Sequence, residues 1–255
     1  MSTSQNHPLG ETTLANNKKA WSTPGSDTFR GEGWSNAFGG SDSQWWTTIF
    51  PRIRKYINSH CIVEIACGWG RWSRFLNNTC NKFVGYDIND TGIKNCEQQF
   101  YFDILNKKAF FYLNDGKTLT HTEDNSVDFI FSYDSLVHSQ LDVIESYIKE
   151  AKRTLKPGGT MFLHHSNLQN CNTSNNKHWR SPDVGFELVN NLTKANNLSI
   201  ISQEMFSYDT TNDSKSLHDC FTVVRNSPQA NETIFFNLNY NDEMTNCKRI
   251  AQTYS

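Results

Sequence analysis

From about residue 60 the chain alternates short, nearly continuous apolar runs with longer stretches whose apolar positions recur every third or fourth residue. The first pattern reads as buried strands and the second as amphipathic helices. "CIVEIA" (61–66) is a strand, and "GRWSRFLNNTC" (70–80) is the helix behind it. "KFVGYDI" (82–88) is a second strand, followed by a helix over 90–102 opened by Asp90 or Thr91. "AFFYLND" (109–115) and "SVDFIFSY" (126–133) make strands three and four. In "SQLDVIESYIKEAKRTL" (139–155), Leu141, Ile144, Tyr147, Ile148, Ala151 and Leu155 share one helical face. Pro157-Gly158-Gly159 is expected to stop that helix, and "TMFLHHS" (160–166) is strand five. Repeated β-α units of this kind predict an α/β fold with a doubly wound, mainly parallel sheet.

After a polar stretch (166–178) a helix is expected near 182–196. "LSIISQEMFSY" (198–208) and "DCFTVVRN" (219–226) then follow as two strands with no helix between them, which suggests an antiparallel hairpin at the sheet edge. Pattern alone does not place "ETIFFNLNY" (232–240) or the helix-like "DEMTNCKRIAQ" (242–252). Ahead of the alternating region, "WSNAFGGSDSQWWTTIFPRIRKYI" is dense in tryptophan; Ser41 or Asp42 is a candidate cap for a helix starting near Ser43, and Pro51 is expected to kink or restart it. This segment either docks on the sheet or closes over a substrate, with Trp34 as a contact. The expected organisation is a flexible N-terminal segment (1–33), a helical cap (34–59), a core domain (60–226) and a C-terminal extension (227–255).

With 36% hydrophobic and 20% charged residues, the 255-residue chain has the composition of a soluble globular protein. Its net charge of −2, without a long Lys/Arg run, disfavours a grip on a nucleic-acid backbone. Seven scattered cysteines contain no CxxC pair, which points to idle thiols in a reducing compartment. The polar start offers no signal-peptide core, and no apolar run is long enough to span a membrane. A cytoplasmic location is expected.

The chemistry is expected at the carboxyl ends of the parallel strands, where ligands bind open sheets of this kind. "VEIACGWGRW" (63–72) leaves the first strand through a turn in which Gly68 and Gly70 let the backbone approach a ligand closely. A third glycine, expected of a dinucleotide loop, is missing: Ser73 stands there. Seventeen residues past Gly70, Asp87 ends strand two, where a carboxylate can accept both hydroxyls of a ribose. Strand three ends in Asn114-Asp115-Gly116, and Asp115 is placed to accept from an adenine amino group, or simply to make a turn.

In these motifs the sequence resembles the class I S-adenosylmethionine-dependent methyltransferases. The resemblance rests on "VEIACGWGRW", Asp87, Asp115, "LKPGG" (155–159) and the terminal hairpin, and spans roughly residues 60 to 226. It implies a Rossmann-like sheet of seven strands, mainly parallel with an antiparallel last strand, and an N-terminal helical extension. It also implies S-adenosyl-L-methionine as cofactor, with Glu64 orienting the loop and meeting the methionine amino group. Ala66 departs from a common glycine but is small enough for close approach. The implied cofactor contacts are Glu64, Ala66, Gly68, Gly70, Arg71, Trp72, Asp87, Ile88, Asn114, Asp115, Gly116, Ser132 and Tyr133. A sulfonium cofactor has no pyrophosphate to seat at a helix N-terminus, so the missing third glycine is consistent with it. "WSNAFGGSDSQWW", "FSYDSLVHSQLDVIESYI", "LHHSNL" and "HWRS" are further similar to a bacterial subgroup associated with surface-polysaccharide tailoring. That subgroup implies a sugar hydroxyl or a capsular O-methyl phosphoramidate as acceptor.

Methyl transfer from a sulfonium is an in-line displacement, for which alignment matters most and a histidine base is suited to a hydroxyl acceptor. Asp134 and His138 follow strand four, His138 being either catalytic or a structural residue at the helix start. His164 and His165 end strand five and point to opposite faces. His165 with Asn167 is the preferred site face, and His164 is the lesser candidate. Arg180 in "KHWRSPD" is a candidate partner for a phosphate or carboxylate on the acceptor, or a surface ion pair. A divalent ion at Asp134 and the histidines is the weaker reading, because the ligand spacing is not diagnostic and structural zinc would want cysteines in pairs. The expected catalytic set is His138, His165 and Asp134, with Trp34, His164, Asn167 and Arg180 on the substrate. A nicotinamide-dependent oxidoreductase and an inactive nucleoside-binding module remain the competing readings; Trp69 and the missing glycine count against the first.

Overall fold

The computed structural model describes residues 12–22, 31–57, 59–171, 176, 178–208, 216–229 and 231–254. Eight strands form one sheet in the order β3-β2-β1-β4-β5-β7-β6-β8. They are β1 (Ser59–Ile65), β2 (Cys80–Asp87), β3 (Ala109–Leu113), β4 (Val127–Ser132), β5 (Leu155–Ser166), β6 (Ser199–Phe206), β7 (Asp219–Arg225) and β8 (Thr233–Asn237). All neighbours pair in parallel except β7, which runs antiparallel to both β5 and β6. The Rossmann-like, mainly parallel fold expected from the sequence is therefore present, with one strand more than expected.

Alternation along the strands separates two cores. Phe129, Phe131, Phe162 and Phe221 face one side, while Ile130, Met161, Leu163 and Val224 face the other. The aromatic side is covered by the segment before β1: helix α2 (Ser41–Gln44), a π-helical turn (Trp45–Ile49) and α3 (Phe50–Ile53). Trp45 stacks on Phe75 at 4.7 Å between ring centroids. The aliphatic side is covered by α7 (Leu141–Thr154), whose Ile144, Tyr147, Ile148 and Ala151 are buried as the spacing predicts.

Several local expectations are corrected. The cap segment starts at Ser41 after Gly40 with no side-chain cap, because the Ser41 hydroxyl is engaged by Glu32 and Arg74. Pro51 restarts the helix as expected, standing in the first turn of α3 after the π turn. The π turn just before it lets the Phe50 amide reach Trp45 O five residues back, which accommodates a residue with no N–H to donate. The helix after the glycine turn is only α4 (Ser73–Leu76). Helix α5 (Asp90–Gln99) is capped by Asn89, whose side chain accepts from the Thr91 and Gly92 amides, not by Asp90 or Thr91. It is followed by a separate α6 (Tyr101–Leu105). Helix α7 ends at Thr154, before Pro157; Leu155 is already extended and pairs with Val127, so "LKPGG" opens β5.

The C-terminal strands also differ from expectation. The β6–β7 hairpin is not an edge: β7 lies inside the sheet and β8 pairs with β6 beyond it. Helix α9 (Tyr240–Tyr254) folds back onto the N-terminal cap. There Arg52 donates to both Glu204 and Glu243 at 2.7–2.9 Å, and lies over the Phe221 and Tyr240 rings. The expectation of a flexible 1–33 falls partly on 1–11 and 23–30, outside the described residues. Within them, Leu14–Ser22 forms helix α1, with Asn17 buried. No helix of the described residues is long and apolar enough to cross a membrane.

Candidate functional site

A cavity of about 380 Å³ opens at the carboxyl ends of β1, β2 and β4. One wall is the turn after β1, where Ala66, Gly68 and Gly70 all adopt positive φ (60°, 56° and 85°). These conformations turn the chain sharply; the alanine bears the modest cost that Cβ imposes there. Helix α5 presses against the turn at Gly92, where a Cβ would meet Gly68 O at 2.6 Å. Asp87 locks the geometry: Oδ2 accepts from the Gly68 amide and Oδ1 from the Asn89 amide, each at 2.7 Å. Burial pushes its pKa upward, opposed by those amide hydrogen bonds.

Ile88, Asn114 and Gly116 continue this wall, with Leu14, Asn17 and Trp21 of α1 packed across from them. Helix α1 is held there by Asn17 Nδ2 donating to His138 O at 2.8 Å and Asn89 Nδ2 donating to Trp21 O at 2.6 Å. Sequence reasoning missed this element. Its signal was the spacing Leu14, Asn17, Trp21, which puts all three on one helical face within a polar segment.

Charged and aromatic groups gather at the other end. Asp134, in the left-handed region at φ 58°, pairs with Arg71 at 3.2 Å. Its backbone N–H donates to His164 Nδ1 at 3.1 Å. That acceptor role places the neutral His164 proton on Nε2, which faces Asp219 Oδ1 at 3.1 Å. Asp219 is fully buried and also receives Arg180 at 2.8 and 3.3 Å. Despite desolvation, Arg180 and the neighbouring histidines hold this carboxyl well below its ordinary range. His138 Nδ1 donates to Trp179 O at 3.0 Å, and its ring lies 5.4 Å from that of Trp21. Trp34, Trp179 and Tyr208 complete this end.

Thirteen of the expected residues line the cavity: Trp34, Ala66, Gly68, Arg71, Trp72, Asp87, Ile88, Asn114, Gly116, Tyr133, Asp134, His138 and Arg180. Seven do not. Glu64 lies beneath the turn, accepts from Ser73 Oγ at 2.5 Å, and is pushed up to about 8 by burial. Gly70 faces α5, where an added Cβ would meet Phe100 at 3.1 Å. Asp115 turns outward and accepts from the Lys117 and Thr118 amides, the ordinary-turn alternative. Ser132 is buried beneath the site. His164 stands behind Asp134 as described.

The preferred face of β5 is the wrong one for the cavity. His165 is buried against Thr222 Oγ1 (2.8 Å) and Ser166 O (2.7 Å), and burial lowers its pKa to about 4. Asn167 bonds Leu217 O and the Phe186 amide at the start of α8 (Phe186–Ala195), so it ties loops together. Strand parity correctly separated the two histidines, but only the three-dimensional position of β4 shows which one backs the cavity. Among the described residues no group of three or more His, Cys, Asp or Glu is arranged to hold a metal ion.

Residues 63–163 match the protein family described as "Methyltransferase domain". Over 125 residues the chain is 29% identical to phosphoethanolamine N-methyltransferase 1 of Triticum aestivum. That match covers 48% of this chain and 25% of the wheat enzyme, so the chain spans about a quarter of its curated relative's length. Among solved structures, an S-adenosylmethionine-dependent methyltransferase from Mesorhizobium loti superposes with a TM-score of 0.55 at 15% identity. It covers 73% of this chain and 100% of that one. One from Clostridium acetobutylicum gives 0.54 at 13% identity, covering 79% and 94%. At these identities the structural likeness establishes the fold.

Proposed function

We infer that this chain, whose residues 63–163 match a methyltransferase-domain family, is a class I S-adenosylmethionine-dependent methyltransferase that transfers the methyl group to an oxygen of a small or saccharide-linked acceptor. The observation that carries the reading is the shared cavity: the Gly68 turn and Asp87 form one end, and Asp134, His138 and Arg180 the other.

The residues present fit the cofactor. Asp87 uses one lone-pair position on each oxygen for the loop amides, and a carboxylate has about four such positions, so acceptors remain for ribose hydroxyls. The indole Nε1 of Trp72, on the cavity wall, is buried with no acceptor among the described residues, a donor suited to a polar ligand. When bound, S-adenosylmethionine supplies an electrophilic methyl on a sulfonium. The family match is what implies that cofactor.

The acceptor end is read from chemistry. His138, on the cavity wall with Nδ1 donating to Trp179 O, is the histidine read as the base. A base on that wall takes the proton that an acceptor hydroxyl releases as its oxygen is methylated. Trp21, Trp34 and Tyr208 supply flat faces for a sugar ring, and Arg180 has three of its five N–H donors committed to Asp219 and His178 O, leaving two for an acceptor anion. Together with the resemblance to surface-polysaccharide tailoring enzymes, this supports a capsular precursor bearing a sugar hydroxyl or a phosphoramidate.

The test is release of S-adenosylhomocysteine with surface-glycan precursors, alongside calorimetry with S-adenosylmethionine and with NAD. Product mass spectrometry locates the methyl. Methyl on nitrogen would overturn the oxygen reading, NAD binding in place of S-adenosylmethionine would favour an oxidoreductase, and cofactor binding without turnover on any acceptor would favour a binding module.

A further inference from the structure

We infer that β8 is an interface strand and that a second copy of this chain covers it. Among the described residues β8 is the outermost strand of the sheet and pairs only with β6, so its other side presents backbone donors and acceptors. Its sequence, Thr233-Ile234-Phe235-Phe236-Asn237, contains no charge, proline or glycine, the devices that ordinarily protect such an edge. Ile234, Phe235, Phe236 and Leu238 are 43%, 42%, 59% and 55% exposed. Nine other phenylalanines are buried in the aromatic core, whereas β8 concentrates two of its own on one exposed edge, which calls for a partner.

The opposite edge is built differently. On β3, Lys82 covers the Phe110 ring at 5.6 Å and His121 stacks on Tyr112 at 4.1 Å, while Lys107, Lys108 and Asp115 flank the strand. A β8-to-β3 contact would set an uncharged strand against a guarded one and would run head to tail, closing only if its rotation made a ring. Self-pairing of β8 closes. An antiparallel two-fold contact centred on Phe235 sets Ile234 opposite the partner subunit's Phe236, and Thr233 opposite the partner subunit's Asn237. Apolar meets apolar, polar meets polar, and no like charges face each other. The nearest charge, Glu232, is already satisfied by Lys194 at 3.2 Å and by Asn190.

Area is consistent with this occupant. Roughly half-exposed aliphatic and aromatic side chains contribute on the order of 100 Å² each, so the four supply about half of the ~800 Å² per partner of a standard interface. The hydrogen-bonded strand edges and the polar residues beside them supply a rim.

Light scattering of the full chain during size exclusion, over a hundredfold range of concentration, tests the inference. A mass about twice 29.3 kDa is expected. The double substitution Ile234→Lys/Phe236→Lys should give a monomer, with S-adenosylmethionine binding and melting temperature serving as folding controls. Phe102→Lys/Leu105→Lys, on the other exposed apolar patch, should leave the dimer intact. Should the β8 variant fail to fold, Phe235→Cys in the otherwise unchanged chain should give a disulfide-linked dimer under mild oxidation by glutathione disulfide, absent from the parent. A parent monomeric at every concentration, or a dimer broken by the Phe102/Leu105 pair but not by the β8 pair, overturns the inference.

Discussion

Asp87 holds the turn that it faces: its Oδ2 accepts the Gly68 amide at 2.7 Å from nineteen positions along the chain. The carboxylate thus shapes the loop, and under the proposed function its remaining lone pairs accept from the ribose. Hydrogen bonds to a charged group contribute about 1.5–3 kcal/mol each. Asp87→Ala should accordingly weaken S-adenosylmethionine binding by on the order of a hundredfold or more, measured by calorimetry. Asp87→Asn keeps the shape but turns an NH₂ toward one of the two backbone amides, so it should also lose affinity. Retention within about threefold in both variants would remove Asp87 from the cofactor site.

Gly92 tests the same loop from behind. In an exposed helix, Gly→Ala stabilises by about 1 kcal/mol. Here the added methyl would stand 2.6 Å from the Gly68 carbonyl oxygen, a backbone atom that cannot rotate away. Steric displacement should outweigh helix propensity. Gly92→Ala is expected to lower the melting temperature and cofactor affinity together, whereas a gain in both would show that the loop yields freely.

Most of the sheet was legible because buried strands carry dense apolar runs, and α7 because its buried positions follow a helical period. The meeting of the Gly68 turn with Asp87 was legible as well, since both lie at strand ends that topology brings together. The opposite end of the cavity was not. Whether His164 or His165 backs the cavity depends on which side of β5 Asp134 occupies, a tertiary relation with no local signal. Asp115 showed the residue type of a ligand but not its direction. Trp21 lies in a polar segment whose order comes from docking, through Asn17 and Asn89, rather than from its own propensity. β8 escaped because its exposed apolar positions lack the alternation of a half-buried strand.

Arg52 joins the N-terminal cap to β6 and α9 through Glu204 and Glu243. Removing one partner from a largely buried ion-pair network costs about 3–5 kcal/mol. For a chain of this size, each kcal/mol moves the melting temperature by about 2–4 °C. Arg52→Met should therefore lower it by roughly 10 °C in calorimetric scans, and a change under about 2 °C would show that the network is structurally idle.

Under the proposed function, His138 should be separable from cofactor binding. Replacing a general base typically costs 10²–10⁴-fold in rate. His138→Asn should reduce methyl transfer by about that factor while leaving S-adenosylmethionine affinity within about threefold. An already anionic phosphoramidate needs no base; there Arg180→Met should be the more damaging change, measured by S-adenosylhomocysteine release.

Two buried groups should bend the pH dependence of stability in opposite directions. Glu64 is raised to about 8 from an ordinary 4.5, so between those values the folded chain holds a proton that the unfolded chain has released. Its contribution is complete below pH 4.5 and is lost as pH rises toward 8. His165 is lowered to about 4 from 6.5, so there the unfolded chain holds the extra proton, and the contribution disappears as pH falls from 6.5 toward 4. Each slope is about 1.4 kcal/mol per pH unit within its window. The two oppose each other between pH 4.5 and 6.5, and Glu64 acts alone between 6.5 and 8. Relative to the parent, Glu64→Gln should gain stability steadily as pH rises from 5 to 8, whereas His165→Gln should gain only as pH falls below 6.5. Urea unfolding at several pH values measures both differences, and parallel curves for parent and variants would show that neither group is shifted.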